Sequence, residues 1–190
     1  MARYWDDAGL FLARLAIAYV FLYAAYLNAK AENREWLVTH TGLLFPSGSS
    51  KNLIKVAACV GVAMMFAGGA SMFLGLAIWV GATMLIAFTV LGYLQHRKEV
   101  ELSTCLANAL VAETEPLLAA ATNAKAIRQL LLDLRVSAYS GQFSSGLKNW
   151  GLIGGLMVLG FVTGSGQFSL DALLAKIRPN WLIDLIVWPM

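Results

Sequence analysis

Four apolar blocks separated by polar stretches organise this chain. The first, Ala8 to Ala29, is 22 residues with Arg14 as its only charge. At 1.5 Å per residue it is long enough to cross a ~30 Å hydrocarbon core. Leu53 to Leu94 is 42 residues with Lys55 as its only charge. As a single helix it would reach ~63 Å, twice the core, so it must fold back. Gly68-Gly69-Ala70-Ser71 stands near its middle and predicts a hairpin of two spans, about 52–69 and 72–94, turning there. The last block, about 150–168, carries Gly151/Gly155 and Gly160/Gly164, two small-xxx-small pairs suited to close packing within the bundle. The pattern predicts an all-α polytopic membrane protein: one domain over 1–190 holding a four-transmembrane-helix bundle.

Residues 99–147 are too polar to cross and too patterned for a plain loop. Thr114-Glu115-Pro116 reads as a helix start. From there Leu117, Ala120, Ala124, Ile127, Leu130, Leu131 and Leu134 share one face, while Thr122, Lys125, Arg128, Gln129, Asp133 and Arg135 share the other. The expectation is an extra amphipathic helix over about 115–136, lying on the membrane surface or against a partner subunit, with Ser140 to Gly146 breaking it. Beyond the last span, the 170–190 tail is interrupted by Pro179 and too short to cross. Trp181 and Trp188 anchor it at the interface, as Trp5 and Trp150 mark span ends.

Composition supports lipid as the solvent. Ala, Val, Ile, Leu, Met, Phe, Trp, Tyr and Cys make up 59% of the chain and charged residues 13%, more apolar side chain than a soluble domain of this size can hide. A net charge of +3 is too small for a nucleic-acid-binding footprint, so no nucleic acid is expected as partner. Cys59 and Cys105 form neither a CxxC pair nor a zinc quartet and read as packing thiols. The N-terminus lacks a basic n-region and a small-x-small cleavage site, so the first block is expected to stay as a span. Ten of the 14 Lys and Arg fall in the connections after spans 1 and 3 or, as Lys55, at the start of the span that follows, which puts those loops in the cytoplasm and both termini outside a prokaryotic inner membrane.

Arg14 is the sharpest chemical feature, because an arginine inside a span costs roughly 2.5–3.5 kcal/mol at the helix centre and marks a site by default. Asp7, at i−7 on the same face, and Asp171, at the same membrane face after span 4, are its candidate partners in a structural ion pair. A quinone head group, an anion or a lipid phosphate is the alternative. Tyr19, Tyr23 and Tyr26, followed by Lys30, make a phenolic stripe on a different face of span 1. It should face the bundle or a partner rather than acyl chains, and with Arg14 it is the candidate quinone or ligand site. His96, at the end of span 3, reads as a solvated interfacial histidine. A His–His metal site would need loop 1, which carries His40, folded onto that helix end, and no metal site is expected. No HExxH motif, phosphate loop, Ser-His-Asp order or bis-histidine pair within the spans is present, so no catalytic constellation is complete.

Three segments together resemble the DoxX family of small four-helix membrane proteins, relatives of the DoxD subunit of thiosulfate:quinone oxidoreductase. They are Arg14-Leu15-Ala16 running on to Lys30, the hairpin Gly61 to Phe88, and Lys148-Asn149-Trp150-Gly151-Leu152-Ile153-Gly154-Gly155-Leu156 closing with Gly164-Ser165-Gly166-Gln167-Phe168-Ser169-Leu170-Asp171. The longer connection before span 4, the tail beyond Asp171 and the lack of a carboxylate in Cys59 to Phe66 depart from the family pattern. The resemblance implies a four-helix fold and work in membrane redox complexes, not a specific reaction. The chain is therefore expected to be a structural subunit or accessory protein of a membrane-bound respiratory or redox complex. Its partners would be the lipid bilayer and other membrane subunits, or further copies of itself, with no cofactor required. A DoxD-like quinone-reactive subunit is the rival, and a small-solute or lipid-handling protein the third reading.

Overall fold

Unbroken runs of helix formers carry the helices further than the apolar blocks alone suggest. The computed structural model describes residues 2–118, 123–164 and 166–177. Helix α1 (Ala2–Ala29) leads through a 3-10 turn (Ala31–Asn33) into α2 (Arg34–Gly42), and α3 (Lys51–Leu74) is followed by α4 (Ile78–Leu118). Helix α5 (Ala124–Met157) ends in a π-helical turn (Val158–Val162), and α6 (Leu170–Ile177) follows. Among the described residues there is no strand. Among the described residues four stretches are long and apolar enough to cross a membrane: Asp7–Ala29, Lys51–Leu74, Ile78–Thr114 and Tyr139–Val162.

The hairpin forms, but not at the expected place. Helix α3 runs straight through Gly68–Ser71, and the chain turns at Gly75–Ala77. Gly75 adopts φ +65° there, and the N–H groups of Gly75 and Leu76 both bond the Ser71 carbonyl, the left-handed close that glycine makes at little cost. Gly68 and Gly69 serve packing instead. A Cβ at Gly68 would lie 2.6 Å from Leu85 Cγ, and one at Gly69 would lie 3.0 Å from Leu22 Cγ.

The 99–147 insertion also differs from expectation, because no separate amphipathic helix begins at Thr114. Helix α4 continues to Leu118 with Pro116 in its last turn, and α5 runs unbroken through Ser140–Gly146. Ser140 Oγ donates to the Ser137 carbonyl, and Ser144 and Ser145 donate to that of Gly141, so these hydroxyls bond back into their own helix. Gly146 lies against Tyr93, Gly92 against Asn149, and the Tyr93 and Trp150 rings meet at 5.6 Å, which sets α4 and α5 antiparallel. At ~1.5 Å per residue α4 is ~61 Å long, about twice the thickness of a hydrocarbon core. The fourth stretch ends at Val162, not Phe168. Ser165 and the tail from Arg178, with Trp181 and Trp188, lie outside the described residues.

The core is narrow and built from small or flexible side chains. Ala18, Phe21 and Ala25 of α1, Met65 and Met72 of α3, Ile78, Ala82 and Leu85 of α4, and Leu156 and Leu159 at the end of α5 are buried together. Large apolar side chains such as Val56, Phe66, Phe73, Leu91 and Phe161 point outward, away from that core. Cys59 and Cys105 are both exposed, which corrects their reading as buried packing thiols.

The glycine pairs of the last block split by role. A Cβ at Gly155 would lie 3.6 Å from Ile17 Cδ1 of α1, an ordinary contact, and one at Gly160 would collide with Ala82 of α4. Gly151 has nothing within 4 Å, and Gly164 lies past the helix with φ +65°, so neither packs helix on helix. Gly160→Ala is accordingly expected to cost ~1–3 kcal/mol by overpacking, while Gly151→Ala stays within ~0.5 kcal/mol of wild type. Thermal unfolding in one detergent compares them, and equal losses would refute the assignment.

Candidate functional site

At one end of the bundle α1 begins, α3 turns into α4, and the chain leaves α5. Backbone N–H and C=O groups lose their helical partners there, and a buried backbone needs new ones. Three charged side chains supply them. Asp7 Oδ1 accepts from the Gln167 N–H at 3.3 Å. Arg14 Nη2 donates to the Phe168 carbonyl. Asp171 Oδ1 accepts from the Ala77 N–H at 3.1 Å, with the Ile78 N–H also bonding this carboxylate, and the Asp171 N–H returns to the Gly75 carbonyl at 3.1 Å.

Each element places its residue for a local reason. Ser169 caps α6, its Oγ accepting from the Ala172 N–H at 3.1 Å, which brings Asp171 into the first helical turn. Its carboxylate thereby sits at the N-terminus of α4, where the helix dipole favours negative charge. Burial pushes the Asp171 carboxyl above the usual carboxylate range, opposed by the Ala77 and Ile78 N–H groups and by the Arg14 charge. Gly75 makes room for the guanidinium: a Cβ there would strike Arg14 Nη1 and lie 2.6 Å from Ser169 Cβ.

Arg14 is 1% exposed and Asp171 4% exposed, so both charges are removed from solvent. The guanidinium also lies 5.8 Å from the Phe11 ring centroid, while its Nε and Nη1 have no hydrogen-bond partner. The structure thus brings Asp7, Arg14 and Asp171 to one node, but each spends its hydrogen bonds on backbone atoms. Arg14 and Asp171 act on each other through the field and not as a direct hydrogen-bonded ion pair. Such a node can hold helix ends in place. It joins no proton donor to an acceptor of a substrate.

The tyrosines are not part of it. Tyr19, Tyr23 and Tyr26 are 68%, 51% and 60% exposed on the outside of α1, with Tyr19 and Tyr23 stacked at 5.8 Å and Lys30 Nζ 5.2 Å from the Tyr26 ring. A ligand site shared by Arg14 and this stripe is therefore not formed, because the two lie on different faces of one helix. Of the two directions expected for the stripe, the bundle is closed to it.

Sequence spacing missed Gln167, Phe168, Ser169 and Gly75, whose backbone and cap roles depend on the packing of distant segments; the Ser169-x-Asp171 cap was the one local signal. It also missed that loop 1 folds back: α2 brings His40 onto α4 beside His96, with Glu99 between them. The two imidazoles approach opposite oxygens of that carboxylate. Among the described residues no group of three or more His, Cys, Asp or Glu is arranged to hold a metal ion.

Comparison with protein-family models, with curated proteins and with solved structures finds no match to this chain.

Proposed function

We propose that this chain is a non-catalytic, multi-pass subunit or accessory protein of a prokaryotic inner-membrane redox complex, and that it docks its partner through the helical arm formed by the outer halves of α4 and α5. The arm carries the reading. Past the charged belt of Arg97, Lys98, Glu99 and Glu101, α4 continues with Leu102, Leu106 and Leu110 exposed, and α5 answers with Ile127, Leu130 and Val136 exposed. Two helices that expose leucines beyond the bundle bury too little against each other, and a partner surface covers that deficit. The exposed phenols of Tyr19 and Tyr23 add a contact at membrane depth, since a phenol in lipid needs an acceptor.

The redox setting rests on the resemblance of the Arg14 and Lys148–Asp171 segments to the DoxX family. Orientation follows the cation count: the arm and α2 in the cytoplasm, the Arg14 node at the outer face. A quinone-reactive role has less support, because Arg14 is enclosed and separated from the tyrosines.

Gentle extraction from the native membrane should recover the chain with a second, different subunit. Leu106→Glu, on the exposed arm, should abolish that recovery while leaving the thermal midpoint of the isolated chain unchanged. Recovery of wild type only as a lone, stable homo-oligomer overturns the proposal, and thiosulfate-dependent quinone reduction by the pure chain would establish the rival.

A further inference from the structure

At the end of the bundle opposite the Arg14 node, α2 packs on α3 and reaches α4 through His40, where one carboxylate meets it. The Glu99 side chain is 11% exposed. Its Oε1 is 3.4 Å from His40 Nε2 of α2 and 3.3 Å from Gln95 Nε2, and its Oε2 is 3.2 Å from His96 Nδ1. His40 is held on its other side as well: Nδ1 lies 2.8 Å from the Trp36 carbonyl oxygen, and the imidazole and indole centroids are 4.0 Å apart.

The chemistry of His40 is over-determined by these contacts. A carbonyl oxygen only accepts, so Nδ1 carries a hydrogen. A neutral imidazole has a single N–H, which leaves the Nε2 lone pair facing a carboxylate oxygen. Two acceptors then oppose each other across a largely buried gap. One added proton on the imidazole converts that repulsion into an attraction between opposite charges at 3.4 Å.

We propose that α2 is a proton-operated latch: a proton shared by His40 and Glu99 ties α2, which otherwise packs on α3, to α4, and its loss to water releases that tie and widens the cleft beneath it. That cleft has a volume of about 500 Å³ and is walled by α2, by His96 and Glu99 of α4, and by Ser137 and Ser145 of α5. Its ionisable lining is His40 from α2 and His96 and Glu99 from α4; the α5 wall is serine and glycine. On the other side of His96, a cavity of about 180 Å³ adds Tyr93, Arg97 and Tyr139, and Arg97 is turned to Glu101 at 3.7 Å. Helix α3 meets α2 through Ile54, which packs on Gly42, and its Lys51 and Lys55 are exposed. Glu99 is thus the carboxylate that His40 answers to. The inference does not depend on the docking role of the arm.

Hydrogen–deuterium exchange of the full chain in lipid nanodiscs tests the latch, at about pH 5.5 and about pH 8.5 with labelling times scaled for the chemical exchange rate. Residues 34–42 should exchange about tenfold faster at the higher pH after scaling, equivalent to ~1.4 kcal/mol, while α3 is unchanged. Glu99→Gln should remove the difference, because the carboxamide can donate to a neutral His40. His40→Gln, which has no titrating ring, should remove it as well and serves if Glu99→Gln does not fold. His96→Asn should keep it. Equal protection of α2 at both pH values in wild type, or an unaltered difference in either His40→Gln or Glu99→Gln, overturns the proposal.

Discussion

Arg14→Leu is expected to destabilise the protein by ~3 kcal/mol, at the lower end for breaking a buried charge pair, since its link to Asp171 is through the field. The change leaves the Phe168 carbonyl without its donor, removes the guanidinium packed against Gly75, and strands Asp171, which is 4% exposed. Asp171→Asn keeps an oxygen for the Ala77 and Ile78 N–H groups and should cost only ~1 kcal/mol. The double variant should lose ~1 kcal/mol less than the two single losses combined, because neither charge is left alone. Thermal unfolding of the four proteins in one detergent completes the cycle. Simple additivity would mean that the two charges do not communicate. Loss of partner recovery in Arg14→Leu with stability intact would instead make Arg14 a binding residue.

Gly75→Ala should cost a further large sum, ~3 kcal/mol, from two sources that a control can separate. An L-residue at φ +65° carries roughly 1–2 kcal/mol of backbone strain. The added Cβ must also displace Arg14 Nη1 and the Ser169 backbone, whose Cα would lie 3.0 Å away, an overpacking of ~1–3 kcal/mol. Gly48 also has positive φ, +93°, but nothing within 4 Å, so Gly48→Ala should show the strain alone, ~1 kcal/mol. Equal losses at the two positions would remove the packed node from the account of this end of the bundle.

The node was only partly legible from sequence. Arg14 stood out because a charge inside an apolar run is costly, and Asp171 and Asp7 were within reach by topology. What they bind could not be read, because their partners are backbone atoms of Ala77, Gln167 and Phe168, exposed only where three chain segments leave their helices together. The tyrosine stripe was visible as a stripe. Whether it faces inward depends on which face of α1 carries Ala18, Phe21 and Ala25, and that face is buried because its alanines let α1 approach its neighbours closely while Phe21 fills the space beside Phe88.

The sequence by itself determined that there are four long apolar helices, that Leu53 to Leu94 folds back on itself, and that one arginine lies within the first span. These follow from local length and hydropathy, which need no knowledge of neighbours. Tertiary structure decided the rest: that the hairpin turns at Gly75 and not at Gly68, that 99–147 extends two helices instead of making a third, and that His40 meets Glu99. A glycine serves a turn or a close contact according to what stands opposite it, and Gly68 has Leu85 opposite it. A helix runs on through serines when their hydroxyls bond back into it, as at Ser140 and Ser145. His40 and Glu99 meet because α2, packed on α3, carries His40 to α4, a contact between residues far apart in the chain that no local periodicity encodes.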